Sequence, residues 1–157
     1  MMKKVMLTLA LLVLLLCLTG CERNAEPAVQ GVADVALSLS ADMTAYLEQT
    51  RAQAQTIRAS LENDPLTQTE MNLKSQELRE LWEGAMERLL EEAQRILPEH
   101  DYAQLTAEQH AWETESQSAV DAASQPYAGG SMYALIVNTE AAGLTEERVN
   151  ALYERLK

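Results

Sequence analysis

Chemistry in this chain could reside in two histidines, three tight pairs of carboxylates and a serine behind two glycines. His100 and His110 stand ten residues apart. A helix-borne carboxylate metal site wants a glutamate three residues before each histidine, facing a bundle interior. Those positions hold Leu97 and Ala107, so both imidazoles are expected on solvated surface with no metal. Glu91-Glu92, Glu146-Glu147 and Glu113-x-Glu115 resemble the carboxylate couples of glycoside hydrolysis, which must face each other across a cleft with pKa values pushed apart. Glu91 instead falls on the polar side of its helix, and the other pairs lie in charged stretches, so a solvated face is the reading. Ser131 after Gly129-Gly130 lacks the Gly-x-Ser-x-Gly turn of a hydrolase nucleophile, and the two glycines lack the rest of a phosphate loop. A turn and a helix cap are expected there. No catalytic residue and no cofactor are expected, which leaves binding.

The elements that must position any binding surface begin after residue 20. Met1-Met2-Lys3-Lys4 is a short cationic start, and Val5 to Leu18 is apolar apart from Thr8. This run is shorter than the ~20 residues a membrane span needs, and with small residues behind it reads as an export signal. Leu18-Thr19-Gly20-Cys21 resembles the lipobox of bacterial lipoproteins. That resemblance implies a diacylglycerol on the Cys21 thiol, cleavage before Cys21, and an added acyl chain such as palmitate on its amine. The expected location is the extracytoplasmic face of the cell membrane, or the outer membrane where the cell has one. Cys17 leaves with the signal and Cys21 is blocked by lipid, so no disulfide is expected.

The 157 residues include 12 Lys and Arg against 24 Asp and Glu. Loss of Lys3 and Lys4 with the signal leaves 10 basic residues against 24 acidic ones, a charge of −14. A nucleic-acid binder needs clustered cations to neutralise phosphates, so that class is excluded. With only 4% aromatics and 6 Gly, and abundant Ala, Leu, Glu and Gln, the composition favours helix. The expected fold is all-α: a small helical bundle behind a signal peptide (1–20), a polar tether (21–32) and a loosely packed N-terminal helix (33–62), with the bundle domain at 66–157.

Asn63-Asp64-Pro65 stops the N-terminal helix, whose apolar stripe is weak. Thr67-x-x-Glu70 reads as a capping box opening a strong helix to about Leu97. Its Met71, Leu78, Trp82, Ala85, Leu89, Ala93 and Ile96 fall within roughly 40° of one direction. Arg79 with Glu83 and Glu91 with Arg95 are spaced to pair. After Leu97-Pro98 a short turn is expected, then a second capping box at Thr106 and a helix to about Gln125 whose stripe holds Trp112, Ser116, Ala119 and Ala123. Ser131 is expected to cap a helix ending near Gly143, and Thr145 a last one. Tyr133 to Val137 is a weak strand candidate.

From about Leu66 to Leu156 the chain resembles the LprI-type lysozyme-inhibitor family. Thr67-Gln68-Thr69-Glu70-Met71-Asn72 is similar to the family's opening, and Gln109 with Trp112 matches its Gln-x-x-Trp element. Gly129-Gly130-Ser131 matches its loop, and Thr145 with Arg148 its Thr-x-x-Arg ending. Many members have cysteine pairs between their helices; here packing alone must hold them together. The resemblance implies binding and inhibition of a lysozyme-type muramidase. Tyr127, Met132 and Tyr133, around the glycine loop, are the residues expected to make exposed contacts. The alternative is an envelope-associated binding lipoprotein with a different protein partner.

Overall fold

The computed structural model describes residues 38–157, all of it helices and short connections. The signal region, Cys21, the tether and the first residues of the expected N-terminal helix lie outside the described residues. The first described helix, α1 (Ala41–Asn63), is capped by Ser40, whose Oγ accepts from the Met43 amide at 3.1 Å. It stops where Pro65 forces extended backbone on Asp64. The capping box at α2 (Gln68–Ile96) forms as expected: the Thr67 hydroxyl accepts from the Glu70 amide, and the Glu70 carboxylate accepts from the Thr67 amide at 2.7 Å. The Thr67 hydroxyl, which also donates to this carboxylate at 2.7 Å, and the Thr67 amide hold the Glu70 carboxyl below its usual range.

Three expectations about element boundaries are corrected. First, α3 runs unbroken over Glu99–Ser124 from Pro98, with no turn at His100 and no cap at Thr106. The Thr106 hydroxyl instead donates back to the Tyr102 carbonyl at 2.9 Å, a bond that lets threonine sit inside a helix. Second, after a single 3-10 turn at Gln125–Tyr127, one helix, α4 (Tyr133–Leu156), replaces the expected pair and the strand candidate. Gly143 costs a helix about 1 kcal/mol, too little to break one whose buried Asn138, Ala142, Thr145, Val149, Leu152 and Leu156 recur every three or four residues. The Thr145 hydroxyl donates to the Ala141 carbonyl rather than capping. Third, α1 is not loosely packed. Met43, Leu47, Thr50, Ala54 and Ile57 are buried; threonine and alanine weaken its hydropathy while letting the backbones approach closely.

The helices lie in the spatial order α1, α2, α4, α3, with α2 and α4 sharing the largest interface and α2 barely touching α3. Ser75 pairs with Asn138 near the starts of α2 and α4, so these two run parallel. Gln109 with Arg148 and Glu108 with Arg155 set α3 antiparallel to α4. Long side chains also join α1 to α4: Arg51 donates to Asn150 Oδ1 at 2.8 and 3.2 Å, and Arg58 pairs with Glu146.

The α2 stripe read from spacing is the core: Leu78, Trp82, Ala85, Leu89, Ala93 and Ile96 are all buried, and Trp82 is 0% exposed. Its indole N–H has no acceptor within reach, so hydrophobic burial of the ring must offset that desolvation. Arg79 pairs with Glu83 at 3.4 Å as expected. Arg95 chooses Glu92 over Glu91, at 2.8 Å, because Glu92 turns inward to accept the Ser40 amide at 2.9 Å. The Arg95 guanidinium and the Ser40 amide together push the Glu92 carboxyl down to about 2. Glu92 thereby pins the point where the chain joins the bundle.

Three outcomes are expected. Trp82→Ala should lower stability by about 3–5 kcal/mol, read as a lower urea midpoint with unchanged slope. Gly143→Ala should raise stability by about 0.5–1 kcal/mol, because an added Cβ meets nothing within 4 Å. A carboxyl depressed to about 2 stabilises the folded state fully above its unfolded pKa of 4.5, and that contribution disappears as pH falls through about 2. NMR should show Glu92 titrating near pH 2 with the Ser40 amide moving in step. Glu92→Gln should remove that contribution to the pH dependence of stability.

Candidate binding site

The residues of the resembling motif, scattered in sequence, gather into two places. At the first, Gln68 Nε2 donates to Asn72 Oδ1 at 3.0 Å, and Asn72 Nδ2 donates to the Ser131 carbonyl at 3.2 Å. The opening of α2 is thereby tied to the glycine loop, with half-buried Met71 beside it. Ser131 does this with its backbone, not as the cap expected of it; Met132 stands at the start of α4. The loop needs its glycines. Gly129 has φ +78°, a left-handed conformation that side chains resist, and a Cβ on Gly130 would come within 3.2 Å of the Tyr127 carbonyl.

At the second place, Arg148 of α4 donates from Nε to Gln109 Oε1 at 3.1 Å and lies 6.0 Å from the Trp112 ring centre, at the outer range of a cation–π contact. Burial lowers the pKa of the Arg148 guanidinium, with Arg155 nearby adding to that effect and Glu108 opposing it. Gln109 and Thr145 are buried and Trp112 half-buried. Both clusters join helices to each other. Their residues hold the bundle's shape, and Trp112, Gln109 and Thr145 of the second cluster also line an open surface.

That surface is a groove of about 450 Å³ where α2 and α3 diverge over α4. Met86 and Leu90 of α2, Trp112 and Val120 of α3, and Leu144 of α4 give it an apolar lining. Glu83, Glu87 and Glu113 stand along it, with no lysine or arginine among its lining residues. Sequence reasoning names Glu83 and Glu113 for other reasons and does not bring the three together, because spacing along one helix does not reveal which faces of three helices diverge. The available signal was Met86 and Leu90, which stand aside from the main α2 stripe. Glu83 and Glu113 are about half exposed, unlike the sheltered carboxyl that acts as a glycosidase acid.

The other exposed apolar surface is at the end of the bundle where α2 begins and α3 hands over to α4. Tyr127, Met132 and Tyr133 are 39%, 42% and 41% exposed, and Leu73 is 61% exposed. The first three are the residues that flank the glycine loop in the sequence. His100 and His110 are exposed, His110 lying 3.2 Å from Glu113. Among the described residues no His, Cys, Asp and Glu side chains gather in threes at metal-holding spacing, and no helix is long and apolar enough to cross a membrane.

Comparison with curated proteins and with solved structures finds no significant match. The family model described as "Lysozyme inhibitor LprI" matches residues 51–152, from the middle of α1 to near the end of α4. That match takes in both motif clusters and well over half of the 157 residues, so the chain belongs to the LprI lysozyme-inhibitor family.

Proposed function

We propose that this chain is a lipid-anchored, extracytoplasmic inhibitor of lysozyme-type muramidases, attached through Cys21. The observation that supports the inhibitory role is the family match across residues 51–152. The physical properties of the chain suit that role. Once the signal is removed the formal charge is −14, and a field of that sign steers cationic proteins and raises their association rate. Steering alone does not make a tight complex; buried contact area does that. The exposed Tyr127, Met132 and Tyr133 are the proposed source of this area, presented on a loop whose backbone is held by Asn72 and by the glycine turn. The anchor rests on the Leu18-Thr19-Gly20-Cys21 sequence at the end of the apolar run, and two or more acyl chains would make attachment stable.

The full chain, extracted in detergent, should slow cationic muramidases in a dose-dependent way. The effect should weaken as salt shortens the screening length from about 30 Å at 0.01 M to about 8 Å at 0.15 M. No loss of muramidase rate at stoichiometric excess in low salt would remove the inhibitory role. Mass spectrometry of the mature chain should find Cys21 at the N-terminus bearing acyl groups, and an unmodified Cys21 would remove the anchor.

A further inference from the structure

We propose that the groove between α2, α3 and α4 receives a protruding arginine or lysine of the muramidase, with Glu87 as its salt-bridge partner. This rests on the inhibitory role proposed above and assigns it a specific contact. Arginine and lysine are apolar along the stem and charged at the tip. The groove has the matching distribution: Met86, Leu90, Trp112 and Leu144 provide apolar lining, and Glu83, Glu87 and Glu113 provide negative charge with no basic residue among them. At about 450 Å³ it has room for one long side chain and part of a neighbour.

The three carboxylates differ in what already occupies them. Glu83 lies 3.4 Å from Arg79. Glu113 lies 3.2 Å from His110 and accepts from Gln109 at 3.4 Å. Glu87 is exposed and has no ion pair or side-chain hydrogen bond among the described residues. It is therefore the carboxylate free to be completed from outside. The aromatic loop does not offer this, since Pro126 to Tyr133 contains no charged residue. It adds area to a complex without reading the sign of a partner's charge.

The groove is also held open before any partner arrives. The Gln109–Arg148 bond fixes α3 on α4, while the buried Ser75–Asn138 pair fixes α4 on α2. A preformed wall on each side lowers the ordering cost of binding.

The test compares the full chain with Glu87→Lys and with Glu48→Lys, each measured as an inhibitor of a cationic muramidase at 0.15 M salt. Glu48 is exposed on α1, which adds nothing to the groove, so both variants change the net charge equally. A circular-dichroism spectrum and urea midpoint like those of the parent chain show that each is folded. Glu87→Lys should weaken inhibition by about tenfold or more, the effect of losing a central contact, while Glu48→Lys should change it by less than about twofold. Equal effects of the two, or full potency in Glu87→Lys, would overturn the groove contact while leaving the inhibitory role intact. No inhibition by the parent chain, at 0.15 M or in low salt, removes the role and the groove contact together. Titration with a chitin oligosaccharide should leave Trp112 fluorescence and its indole resonance unchanged; saturable binding there would replace the cation with a glycan and overturn the proposal.

Discussion

The bundle depends on a single apolar face of α2 that must serve two neighbours. Trp82 lies at its centre, with Leu78, Ala85, Leu89, Ala93 and Ile96 above and below. α1 and α4 both close on this face, and α1 is further tied across to α4 by Arg51 and Arg58. Helix α3 has only a small share in that arrangement. It is held mainly by α4, through Gln109–Arg148, Glu108–Arg155 and buried Leu105 and Val120. A helix supported on one side leaves its other side open, and the groove is the result.

This division explains where family likeness is strongest. Gln68, Asn72 and Ser131 secure one end of the molecule, and Gln109, Trp112 and Arg148 secure the attachment of α3. Removing Arg148 would leave buried Gln109 without its bond, at a cost of about 1–3 kcal/mol. Sequence signatures of this kind identify a scaffold. The groove lies between the elements they fasten, and Glu87 belongs to none of the four motif pieces.

Much of this architecture was legible in the residues. The helical class followed from composition, and the Trp82 stripe and Thr67 capping box followed from local spacing, because these depend on interactions within one or two turns. The errors arose where a local signal was overruled by packing. Thr106 and Thr145 look like caps, yet each hydroxyl has a carbonyl four residues back to satisfy it. Gly143 looks like a stop, yet the buried positions on either side keep one phase through it. Spacing puts Trp112 on the apolar stripe of its helix, and its ring is shared between the core and the groove. The groove was hidden for a different reason: it reflects how α2 and α3 diverge, which no single helix encodes.

The helices are stapled by nothing covalent, since the only cysteines in the chain are Cys17 and Cys21. Every bond holding Ala41 to Leu156 together can break and re-form without an oxidant. The bundle therefore has the same strength under reducing and oxidising conditions and needs no isomerase to sort its pairings. With helices as its units and no thiol exchange, its refolding has one class of slow step fewer, and its collapse and docking steps are among the fast events of protein folding.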